Sequence, residues 1–153
     1  MSSHRDSLQS SWGLVTWRFF QAGMPTPSQC GFVLDESMHG SKRHFGGCLL
    51  DGSEVRIAPS LAALPREIVL GVLAHEAGHC EDLSNPKRYG APSGRLREYV
   101  SGPKHRRTRH ETEVVADLLA SEAMGERIGY VKVEGVGWIQ CLGQGVARPK
   151  DLR

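Results

Sequence analysis

The chain has 153 residues, 39% of them hydrophobic, and a formal net charge of +2 at pH 7. That length and apolar content fit a single domain, residues 1–153, with one core and many turns. So small a net charge gives no case for a nucleic-acid partner, and no apolar run approaches the length of a membrane span.

Met1 to Ser11 is polar and lacks the apolar centre of a signal peptide, so residues 1–11 read as a flexible arm. Trp12 to Phe20 is rich in aromatic and β-branched residues and predicts a strand. Gly23 to Ser28 is a loop, Cys30 to Asp35 a second strand, and Glu36 to Arg43 a polar loop. Two strand-like runs, Phe45 to Leu50 and Ser53 to Ala58, flank Asp51-Gly52, a hairpin signal. A small, largely antiparallel sheet ahead of the first helix follows. Cys30, Cys48, Cys80 and Cys141 have no C-x-x-C spacing, which fits reduced thiols in a cytoplasmic protein.

Pro65 suits the first turn of a helix running to Asp82 or Leu83, with Asn85-Pro86 closing it. Residues 86–109 carry Lys87, Arg88, Arg95, Arg97, Lys104, Arg106, Arg107 and Arg109 against the single acid Glu98, and read as a basic loop. Thr108 and Glu111 have capping-box spacing, opening a helix from Arg109 to Met124 that Gly125 ends. From Tyr130 to Gly145 the glycines leave helix or strand open, and 147–153 reads as a frayed tail.

The first helix contains His75-Glu76-Ala77-Gly78-His79, the H-E-x-x-H pattern of zinc hydrolases. Residues four apart share a helix face, so His75 and His79 can address one ion. Glu76 lies about 100° round the helix, badly placed as a ligand but within reach of a water beside the metal. Two histidines and a glutamate in an apolar helix are costly to bury without a partner, and a cation removes that cost.

A catalytic zinc site takes a third protein ligand. Six residues after His79 stands Asn85 and three after it Asp82, which excludes the metzincin pattern. Cys48 weakly resembles the cysteine ligand of peptide deformylases, but that family's glutamine-bearing glycine motif is missing. His105 and His110 are further imidazoles in the basic segment. Glu113 is the best candidate: it shares a face of the second helix with Asp117, so one carboxylate can bind the metal while the other takes a ligand's imidazole N–H.

With Glu113-x-x-Ala116-Asp117 following H-E-x-x-H, the chain resembles a gluzincin zinc metallopeptidase over about residues 45 to 125. It is most similar to the small minigluzincins and to the peptidase unit of the CAAX prenyl protease and heat-shock membrane protease family. The resemblance implies an α+β, zincin-like fold: a small sheet, the H-E-x-x-H helix, then a helix carrying the glutamate ligand. It implies an extended peptide or protein substrate paired along an edge strand, here Ser53 to Ala58. It also implies a Tyr or His beside the oxyanion, for which Tyr89, Tyr99, His105 and His110 are available.

The expected activity is zinc-dependent endopeptidase cleavage. Zinc held by His75, His79 and Glu113 activates water, Glu76 is the general base, and Asp117 orients a ligand histidine. The alternative is a zinc-stabilised binding module whose basic loop contacts an acidic protein or nucleic acid, although no nucleic-acid motif accompanies that loop. A third possibility is latency, with residues 1–30 or Cys80 blocking the metal; Cys80 points away from His79's face, which favours packing.

Overall fold

The structure, a computed structural model, describes residues 3–38, 45–49, 51–85, 108–149 and 152. The first described element is a helix, α1 (Ser3–Gln21), which replaces the arm over residues 3–11 and the strand at Trp12 to Phe20. Leu8, Trp12, Val15 and Phe19 are its buried residues on the core side. Their spacing follows the helical period, and burial along that stripe outweighs the strand preference of the aromatic and β-branched residues. Trp12 stacks on Phe32 with ring centroids 4.9 Å apart.

Three short strands follow: β1 (Gly31–Leu34), β2 (Gly46–Cys48) and β3 (Glu54–Ile57). The predicted hairpin forms, pairing Gly46 with Ile57 and Cys48 with Val55 in antiparallel register. Gly52 takes φ +77°, the conformation that suits glycine in such a turn. Its carbonyl accepts from Cys80 Sγ at 2.9 Å and Ser84 Oγ at 3.1 Å, fastening the turn to the next helix. β1 joins β3 in parallel, so the sheet is mixed, in the order β1-β3-β2. The segment Ser53 to Ala58 therefore holds the middle strand, and its reading as a free edge is wrong: both sides of β3 are already paired. β2 is the edge.

α2 (Arg66–Ser84) runs through the centre. Every residue from Ile68 to Asp82 is buried, as in a helix covered on all sides. Two glycines let neighbours approach its backbone. A Cβ on Gly71 would lie 2.8 Å from the Cys141 nitrogen, and one on Gly78 would lie 2.3 Å from the Ala116 carbonyl oxygen. α3 (Arg109–Met124) has the expected capping box and a left-handed Gly125 at its end. Arg18 of α1 donates to the Met124 carbonyl at 2.7 Å, closing α3's C-terminus.

The stretch left open in the sequence is an antiparallel hairpin, β4 (Ile128–Val133) and β5 (Gly137–Leu142). The chain then turns back along the other side of β4. Tyr130 N donates to Val146 O at 2.8 Å and Val146 N to Tyr130 O at 2.9 Å. This pairing holds Val146, the residue just ahead of the segment 147–153, against β4. The molecule is α+β, with its core between α1, α2, α3 and the faces of the two small sheets. No described helix is long and apolar enough to cross a membrane. Of the basic loop, residues 86–107 lie outside the described residues, and Arg109 opens α3.

Candidate metal centre

α2 and α3 cross at Gly78 and Ala116, and this close approach brings the ligand candidates together. His75 Nε2 lies 2.9 Å from Glu113 Oε1, His79 Nε2 2.9 Å from Glu113 Oε2, and the two Nε2 atoms are 3.1 Å apart. His75, His79 and Glu113 form a group that can hold a metal ion. Bonds of about 2.0–2.1 Å to a tetrahedral ion place donors roughly 3.4 Å apart, the same scale as the separations between these nitrogens and the two Glu113 oxygens.

Asp117 sits one turn along α3, and its Oδ1 lies 2.6 Å from His75 Nδ1. With Nδ1–H donated to Asp117, the Nε2 lone pair is available to an ion. Burial alone disfavours a charged His75, but the adjacent Asp117 and Glu113 carboxylates overcome it and raise its pKa well above the ordinary value. For Glu113, burial opposes ionisation, while the bonds to His75 and His79 hold its carboxyl far below the usual range. The Asp117 and Glu113 carboxylates thus place negative charge on both sides of the His75 ring.

Glu76 lies on the wall next to these ligands. Its carboxylate is buried and its Oε1 has no hydrogen-bond partner. Burial raises its pKa, with the two histidines acting in the opposite direction, so the group is predisposed to accept a proton. The edge strand makes room for it: a Cβ on Gly46 would stand 2.9 Å from Ile57 Cδ1 and 3.0 Å from Glu76 Cγ.

A cavity of about 430 Å³ opens over the four residues, bounded by β2 on one side and by Trp138, Gln140 and Arg148 on another. Cys48 faces the cavity but is not one of the three converging ligands. Burial, followed by the Glu76 charge, pushes its thiol up to about 12. Cys80 points to the Gly52 carbonyl and packs the hairpin. All four cysteines are free. His110 lies in the first turn of α3, outside the ligand group; Tyr89, Tyr99 and His105 fall outside the described residues.

Two residues of the site went unnoticed in the sequence. Tyr130 Oη donates to Asp117 Oδ2 at 2.6 Å, and Arg148 Nη1 donates to Tyr130 Oη at 2.8 Å. Tyr130 belonged to the stretch left open between helix and strand, and Arg148 to the supposed tail. Alternation of apolar and polar residues in Tyr130-Val131-Lys132-Val133 was a usable strand signal. Nothing short-range marks Arg148.

No family model, curated protein or solved structure matches the chain.

Proposed function

We propose that the protein is a zinc metallopeptidase of gluzincin type with a zincin-like fold. The observation that carries this reading is the convergence of His75, His79 and Glu113 within 4.8 Å, with the buried Glu76 carboxylate beside them. Two imidazoles and one carboxylate are a donor set suited to zinc, and three protein ligands leave a position open. Bound there, zinc supplies Lewis acidity and lowers the pKa of a water towards neutrality.

The chain's own residues do the rest. Glu76 takes the proton of the attacking water and passes it to the leaving amine nitrogen. Asp117 keeps the His75 ring in one tautomer and orientation. The Arg148 guanidinium, 3.8 Å from Glu113 Oε1 and 9% exposed, supplies positive charge close to where the carbonyl oxygen becomes an oxyanion. The outer edge of Gly46–Cys48 offers main-chain N–H and C=O groups to an extended peptide, bringing a backbone carbonyl towards Glu76.

The test pairs metal analysis of the purified protein with cleavage of a quenched peptide library. We expect one zinc per chain and peptide cleavage. Glu76→Gln should keep the zinc and lose at least about a hundredfold in rate. A wild-type protein that holds zinc yet cleaves no peptide would overturn the peptidase reading; one that binds no zinc after reconstitution would overturn the metal site as well.

A further inference from the structure

The chain beyond β5 is shaped to deliver one side chain to the metal site. Gly143 and Gly145 have φ of +78° and +97°. A Cβ on Gly145 would lie 2.3 Å from the Tyr130 carbonyl oxygen, and one on Gly129 would lie 2.0 Å from the Gln144 carbonyl oxygen. Only glycines allow this segment to lie so closely against β4. Arg127 donates to the Gly145 carbonyl from outside, and the paired bonds between Tyr130 and Val146 fix the register. Arg148 then extends over the Tyr130 ring, with its guanidinium carbon 5.4 Å from the ring centroid.

From that point a continuous chain of hydrogen bonds runs inward. Arg148 Nη1 donates to Tyr130 Oη at 2.8 Å, Tyr130 Oη to Asp117 Oδ2 at 2.6 Å, and Asp117 Oδ1 meets His75 Nδ1 at 2.6 Å. We infer that Tyr130 and Arg148 are positioning residues that set how tightly the site binds its metal. Arg148 polarises the tyrosine hydroxyl into a stronger donor. The hydroxyl fixes the plane of the Asp117 carboxylate, and that carboxylate holds His75 with its Nε2 facing Glu113 and His79. Tyr130 is 1% exposed and fully packed, so its ring is already held by the core. The added hydroxyl therefore serves Asp117 rather than the packing of the ring.

This inference rests on the metal-site reading, and the experiment separates the two. Zinc affinity is measured by competition with a chromophoric chelator for the wild type, Tyr130→Phe, Arg148→Met and Arg148→Lys, together with the thermal midpoint of each metal-free protein. Tyr130→Phe and Arg148→Met should each weaken zinc binding by about tenfold to a hundredfold, the usual effect of losing an outer partner of a ligand. Arg148→Lys, which keeps a charged donor near the hydroxyl, should recover part of the loss. Arg148 is not part of the apolar core, so its variants carry the test even if Tyr130→Phe folds poorly. Wild-type zinc affinity in either Tyr130→Phe or Arg148→Met overturns the inference, whatever happens to the thermal midpoint. Failure of the wild type to bind zinc overturns the metal site itself.

Discussion

Gly46 shows how closely the site is fitted at single residues. The space that its missing side chain leaves is occupied by Ile57 and by the Glu76 carboxylate arm. Gly46→Ala should displace Glu76 without touching a ligand. The expected result is an activity loss of about a hundredfold, the scale of an ångström's misplacement, with zinc content unchanged. Metal analysis and peptide kinetics on the same preparation check both halves. Glu113→Ala should do the reverse, lowering zinc affinity by more than about a hundredfold because it removes a ligand outright. Cys48→Ala should leave zinc bound, since the side chains that converge are His75, His79 and Glu113. Loss of zinc with Cys48→Ala alone would reassign the third ligand.

At the scale of elements, the crossing of α2 and α3 governs the ligand geometry. Gly78→Ala places a methyl group 2.3 Å from the Ala116 carbonyl oxygen, in a contact formed by backbone that cannot move aside. The helices must separate, at a cost of about 1–3 kcal/mol for an overpacked contact. Since His75 and His79 are on one helix and Glu113 on the other, zinc affinity should fall along with the thermal midpoint. A variant that melts early but binds zinc normally would show that the crossing does not set the site. The same crossing explains what could be read from the sequence. His75, Glu76, His79, Glu113 and Asp117 each sit in a helix with local start and stop signals, so spacing alone assigned each to its helix and face. The Asp51-Gly52 turn was equally local. α1 was misread because its composition favoured a strand while its apolar spacing, Leu8, Trp12, Val15 and Phe19, followed a helix. The parallel pairing of β1 with β3 and the return of the chain to β4 are long-range contacts that leave no short-range mark, which is why the middle strand was mistaken for an edge and Arg148 was missed.

For the whole molecule, the site joins elements distant in sequence: α2, α3, the β2 edge and the segment after β5. An ion that binds only the folded chain stabilises it by mass action, by about 4 kcal/mol at a thousandfold excess over Kd. For a domain of this size that corresponds to a rise of roughly 8–16 °C in thermal midpoint. Calorimetry with and without a chelator should show that difference, and Glu113→Ala should abolish it. The surroundings of the three tryptophans also differ in a useful way. Trp12 is buried against Phe32, Trp17 is 55% exposed on α1, and Trp138 borders the cavity. Trp138 is thus a built-in optical reporter of cavity occupancy. With Trp12 and Trp17 replaced by phenylalanine, its emission should shift when an inhibitor or peptide enters, giving a titration signal that requires no turnover.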